Sequence, residues 1–120
     1  GQSSDGGSSA EMSLDDYKAY YKDVIKSADG MTINIDNGWN NGSVNLSMAI
    51  TINNTSGSNI TTWERKLVFK DGVTLEKVGG WCANFKISGN TVTITPESYN
   101  GSINAGGSVG GIGLQIKVTE

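Results

Sequence analysis

The chain has 120 residues, of which Gly, Ser, Thr and Asn supply 17, 14, 10 and 12, against 21 charged residues, one Pro, one Cys and no His. That length holds one domain with one modest core, and a net charge of −3 with pI near 4.8 disfavours nucleic acid, whose phosphates call for clustered Lys and Arg. The missing His removes the Ser-His-Asp triad and ordinary zinc sites, and a single Cys makes no internal disulfide.

Residues 1–10, GQSSDGGSSA, are polar and small and read as a flexible linker, either a natural tether to a larger multi-modular chain or an expression remnant. No secretory leader stands at the start, so a removed leader or an excised module is expected. No apolar run approaches the roughly 18 residues of a transmembrane helix. The domain proper is expected over 11–120, with a helix at about 14–28 and a sandwich at about 31–120.

The helix is predicted from Ser13 as N-cap, Asp16 three residues on, and an apolar face of Leu14, Tyr17, Tyr21, Val24 and Ile25. Lys26 suits its last turn and Gly30 its end. Tyr20 falls to one side of that face.

From Met31 the period changes to two. Val44, Leu46, Met48, Ile50 and Ile52 alternate with polar or small residues, as a strand with one buried face does. Asn54–Asn59 is a loop, and Trp63, Leu67 and Phe69 then share a phase before the Asp71-Gly72 turn. Arg65 falls in that apolar phase, which marks an edge or a twisted position. Phe85 and Ile87, then Val92 and Ile94, form two strands around the Ser88-Gly89-Asn90 hairpin. Ile112, Leu114, Ile116 and Val118 form the last. Short strands between tight turns predict an all-β fold, an antiparallel β-sandwich of jelly-roll or Ig-like type with one short N-terminal helix.

Little here supports catalysis. Glycoside hydrolysis needs two carboxylates roughly 5 to 9.5 Å apart across a cleft, whereas Asp36, Glu64, Asp71, Glu76, Glu97 and Glu120 are scattered. There is no EF-hand-type calcium loop; Asp29 and Asp36, flanking the first strand, read as turn and capping acids. No metal or cofactor is called for. Sequons at Asn41, Asn45, Asn53, Asn54, Asn59 and Asn100 arise by chance in a chain this rich in Asn, Ser and Thr, and discriminate nothing.

The aromatics say more. Trp63 has core phase, but Trp39 lies in the loop-like Asn37-Gly-Trp-Asn-Asn-Gly, Trp81 follows Gly79-Gly80, and Tyr99 lies in the turn Pro96-Glu-Ser-Tyr-Asn-Gly. An exposed ring forgoes the benefit of burial, so a binding role has weight. Sugar polymers suit such rings: a pyranose has an apolar C–H face for an aromatic plane and a hydroxyl rim for Asn, Gln and Ser. Aromatic stacking is worth about 1–3 kcal/mol per base. With sugars at the low end, three rings plus hydrogen bonds give micromolar affinity, near −8 kcal/mol.

The stretch from Met31 to about Leu114 resembles the family-2 carbohydrate-binding modules of bacterial cellulases and xylanases. The resemblance is carried by Asn54-Thr-Ser, Trp63-Glu-Arg-Lys-Leu-Val-Phe, Trp81, Ser88-Gly-Asn-Thr-Val-Thr-Ile and Tyr99-Asn-Gly-Ser-Ile-Asn-Ala-Gly-Gly-Ser. It implies a β-sandwich, no enzymatic activity, and a platform of three surface aromatics, Trp39, Trp81 and Tyr99, with Trp63 in the core. Gln115, Asn84, Asn100 and Lys86 join them as candidate polar contacts, and Tyr20 would extend the platform if the helix packed beside it.

Four features depart from the family pattern. The disulfide joining the ends is absent, the helix is extra, and a glycine is added before Ile112, as a bulge would require. Trp81 also shares parity with Phe85 and Ile87, so it faces solvent only if the chain kinks near Gly80 or Ala83. Such departures resemble the divergent modules of cellulosomal enzymes from gut and rumen clostridia. The expected role is to target an attached, secreted plant-cell-wall hydrolase to a β-linked polysaccharide such as cellulose, xyloglucan, mixed-linkage glucan or mannan, as a monomeric unit. No nucleic-acid or membrane partner is expected. The rival reading is a structural spacer or adhesin sandwich, in which the three aromatics do not share a face.

Overall fold

The computed structural model describes residues 12–120; the expected linker over residues 1–10 lies outside them. The described chain runs α1 (Leu14–Val24), β1 (Ile25–Ser27), β2 (Met31–Asn40), β3 (Val44–Asn53), β4 (Arg65–Phe69), β5 (Thr74–Trp81), β6 (Ala83–Ser88), β7 (Thr91–Pro96) and β8 (Ser108–Thr119). Two four-stranded antiparallel sheets result, one ordered β1-β4-β7-β6 and the other β2-β3-β8-β5. The all-β sandwich with one short N-terminal helix is therefore the observed fold.

α1 begins as its sequence dictates. The Ser13 hydroxyl accepts from the Asp16 N–H at 3.2 Å, and the Asp16 carboxylate accepts from the Ser13 N–H at 2.8 Å, a reciprocal capping box. The helix ends earlier than the apolar spacing predicts. Ile25 turns extended, at φ −82° and ψ 138°, and 25–27 joins β4 instead, with Ile25 opposite Phe69. Strand pairing here overrides helical periodicity, as β-branched Val24-Ile25 allows. Gly30, expected to end the helix, turns the chain from β1 into β2 at φ +74°.

The core lies between the sheets. Leu46, Met48, Ile50 and Ile52 of β3 and Ile112, Leu114, Ile116 and Val118 of β8 meet Leu67, Phe69, Val92 and Ile94 from the other sheet. Trp63 is buried with them. Tyr17 of α1 enters the same cluster, its ring lying over Gly38, where a Cβ would stand 2.3 Å from the ring. α1 is thereby part of the domain. Tyr20 donates to Glu120 at 2.8 Å, and Lys70 reaches the same carboxylate at 2.9 Å, fastening the helix to β8 and the end of β4.

Arg65, anomalous in the sequence, spans the two sheets. Its guanidinium donates to the carbonyls of Gly30 at 3.2 Å, Asn53 at 2.7 Å and Glu64 at 3.0 Å. Three charge-assisted bonds to backbone carbonyls explain a cation in an apolar phase. Asn54, 2% exposed, ties the loops in a similar way, its amide donating to the carbonyls of Ser58, Ile103 and Asn104.

Candidate functional site

The outward face of β2-β3-β8-β5 follows from register. Trp39 stands opposite Asn45, and Asn45 opposite Lys117; Trp81 stands opposite Gly113. Asn45, Lys117 and Gly113 alternate with the buried Leu46, Ile116 and Leu114, so both tryptophans point away from the core. Trp39 therefore sits in strand β2, where the sequence reads as a loop.

Two bulges put them there. The β2–β3 register shifts between Ile35 and Asn37, and the β5–β8 register between Lys77 and Gly79. Each extra residue, Asp36 and Val78, reverses the alternation. Without them the phases of Ile35 and Leu75 would carry Trp39 and Trp81 inward.

Trp81 is 48% exposed, and its indole lies over β8: a Cβ on Gly113 would stand 2.0 Å from Cε2 and Cζ2. Gln115 lies in turn over β5, its Oε1 2.9 Å from where a Cβ of Gly79 would be. The two side chains thus cross over two glycines, which have no other reason to occupy mid-strand positions. Gly79 and Gly113 are positions of this face that sequence reasoning missed; glycine in an otherwise alternating strand is the signal that marks them. Asn45 and Ser47 complete the floor at 1% and 6% exposure.

The kink that Trp81 requires falls at Cys82. Among the described residues it is the one non-glycine with positive φ, at 66°, and it turns the chain from β5 in one sheet to β6 in the other. Trp81 and Phe85 thus belong to different sheets, and their shared parity places no constraint on Trp81. Tyr99, 69% exposed, stands at this corner. The neighbouring Cys82 thiol, more than slight desolvation, raises its phenol pKa above the ordinary value.

The four polar candidates separate. Gln115 lies beside Trp81 on the aromatic face. Asn100 is committed internally: its Nδ2 donates to the Cys82 carbonyl at 2.6 Å, and its Oδ1 accepts from the Glu97 N–H at 2.9 Å. Asn84 and Lys86 pair with Thr95 and Thr93 of β7, in the other sheet. Asn84 already donates to Glu97 at 2.9 Å, and Lys86 alternates with the inward Phe85 and Ile87 on that sheet's outer face. The structure does not bring Lys86 to the tryptophans. Tyr20 is turned to Glu120.

A separate open cleft of about 430 Å³ is lined by Ser27, Asp29, Gly30, Thr55, Glu64, Arg65, Lys66 and Val68, and it contains none of the candidate aromatics. Asp29 belongs to that cleft, while Asp36 is the β2 bulge residue. No group of three or more potential metal-ligating side chains gathers among the described residues.

A two-sheet domain with a neutral polar floor and rings laid over it has the form of a non-catalytic binding module. The family model described as cellulose binding domain matches residues 30–120, and the chain belongs to that family, the family-2 carbohydrate-binding modules. Endoglucanase E-5 of Thermobifida fusca is 33% identical over 86 residues, which are 70% of this chain but 17% of that enzyme. The chain therefore spans less than a fifth of that relative's length. The solution structure of the chitin-binding domain of Chi18aC from Streptomyces coelicolor superposes with a TM-score of 0.54 at 23% identity, covering 76% of this chain and 80% of that one; this likeness is one of fold. α1 and β1 precede the family match.

Proposed function

We propose that this module holds an attached, secreted hydrolase on a β-linked glucan, cellulose first, through Trp81, Tyr99 and Trp39, with Gln115 as the hydrogen-bonding neighbour of Trp81. The observation that carries the reading is the Trp81 indole lying over Gly113 on a sheet face, half exposed, with no core to fill. A ring held flat against backbone keeps its other face open to a sugar, and pre-ordering it lowers the entropy lost on binding. By ordinary sheet spacing Trp39 and Trp81 are about 13 Å apart along the strands and about 14 Å across them, a span of several sugar rings. The endoglucanase likeness supports an enzyme as the tethered partner, for which the module raises local concentration on the polymer. Secretion and a monomeric state belong to the same reading.

Affinity electrophoresis against cellulose derivatives, xyloglucan, mixed-linkage glucan, mannan, xylan and chitin tests it. Retardation on β-glucans is expected, with Trp81→Ala weakening binding about tenfold, the equivalent of one stacked ring. Absence of retardation on every polymer would sink the reading, and unchanged binding by Trp81→Ala would move the site elsewhere.

A further inference from the structure

Trp81 and Tyr99 come from segments that share no strand. Trp81 ends β5, and Tyr99 lies in the turn after β7, eighteen positions further along the chain. Yet both are tied to one corner. The Asn100 amide donates to the Cys82 carbonyl at 2.6 Å, the shortest of its contacts, while its Oδ1 takes the Glu97 N–H at 2.9 Å and so closes the 97–100 turn. From the core, the Trp63 indole N–H donates to the Asn100 carbonyl at 2.9 Å. Asn100 therefore has a core tryptophan behind it, the residue after Trp81 on one side, and Tyr99 as its own chain neighbour.

The corner also carries backbone strain. A non-glycine residue at φ 66° lies in the left-handed region that side chains disfavour, and such a residue persists only where its surroundings hold it. Here the holding bond comes from Asn100.

We propose that Asn100 is the positioning residue of the aromatic platform: by fixing the Cys82 corner it sets the height and tilt of Tyr99 relative to Trp81, and so whether the pair meets a polymer as one surface. This deepens the proposed function and rests on the aromatic reading of the site. Asn100 thereby acts through the rings and not by touching sugar. Its two side-chain groups are both occupied within the protein, which argues against the direct contact its turn position suggests.

Asn100→Asp tests this. It keeps an acceptor for the Glu97 N–H but replaces the donor to the Cys82 carbonyl with an oxygen that repels it. Adsorption isotherms on cellulose should show Kd raised about fivefold, with the same bound capacity per folded molecule. In a Tyr99→Ala background the same change should have almost no further effect on Kd. Full additivity of the two changes would overturn the proposal in favour of a direct sugar contact. Reduced capacity at unchanged Kd would overturn it in favour of a purely structural role. Should Asn100→Asp fail to fold, Asn100→Ser reads the same tie, its side chain being too short to reach the Cys82 carbonyl: a raised Kd that disappears in the Tyr99→Ala background supports the proposal, and an unchanged Kd refutes it. Trp81→Ala in the same series separates the two readings, since its failure to weaken binding would remove the platform itself, whereas normal loss there with no effect at residue 100 removes only the positioning role.

Discussion

Gly113 shows how a position without a side chain makes the site. It is buried because Trp81 covers it, and the space for its missing Cβ is taken by the indole. Gly113→Ala should therefore lift the ring off β8. We expect its polymer affinity to fall to the level of Trp81→Ala while the urea midpoint, measured alongside, stays near wild type, because alanine suits a strand at least as well as glycine. An affinity equal to wild type would mean that the ring can bind from a raised position. At this scale the sequence was only partly legible. Trp63 as a core residue followed from its phase and the exposure of Tyr99 from its turn, whereas that of Trp81 rested on the family resemblance, against its parity with Phe85 and Ile87. The roles of Gly79 and Gly113 did not, because they depend on which side chain of the adjacent strand lies across them. Asn100 looked like a surface turn residue, and only its distances show that it is a tie.

Among the elements, strands with unbroken alternation, β3 and β8 above all, were readable from the chain. β5 was not, because the bulge at Val78 breaks its period midway and Gly79-Gly80 reads as a turn. For the same reason the second half of β2 looked like a loop. α1 was legible at its start, where capping is local, but not at its end, where pairing with β4 decides. The helix is fastened partly by charge. Glu120 is held below the usual carboxylate range by hydrogen bonds from Lys70 first and Tyr20 second, and Lys70 is raised chiefly by its bond to Glu120. A depressed carboxyl contributes stability above its unfolded pKa and loses it as pH falls through the folded value; a raised lysine contributes below its unfolded pKa and loses it as pH rises through the folded one. The fastening is thus complete between about pH 4.5 and 10.5 on ordinary values. Thermal melts of Glu120→Gln should lie below wild type at neutral pH and converge with it in acid. A gap that persists unchanged below pH 3, well under the ordinary carboxyl range, would show that the carboxylate charge is not what matters.

For the whole molecule, the low charge that first excluded nucleic acid now bears on the mode of binding. The aromatic face presents Trp39, Trp81 and Gln115 above the buried Asn45 and Ser47, with Lys117 and Glu76 opposed at one end at 4.0 Å. Affinity resting on ring stacking and neutral hydrogen bonds has little to screen. Kd on cellulose should change by less than about twofold between 50 mM and 500 mM NaCl, in contrast to the steep salt dependence of polyanion binding; a tenfold loss would point to charge as the main attraction. The two ends of the chain are also anchored in different ways. The Tyr17 ring presses on Gly38, the residue before Trp39, and Tyr20 holds Glu120, so a pull entering ahead of α1 loads a few side-chain contacts one after another and can peel the helix and the three-residue β1 away in sequence. A pull entering behind β8 meets a twelve-residue strand paired with β3 between Ser108 and Val118 and with β5 between Gly113 and Thr119, whose ladders must shear together. As a mechanical linkage the domain is asymmetric: compliant toward its N-terminal side and stiff toward its C-terminal side, with the aromatic-bearing sheet on the stiff path.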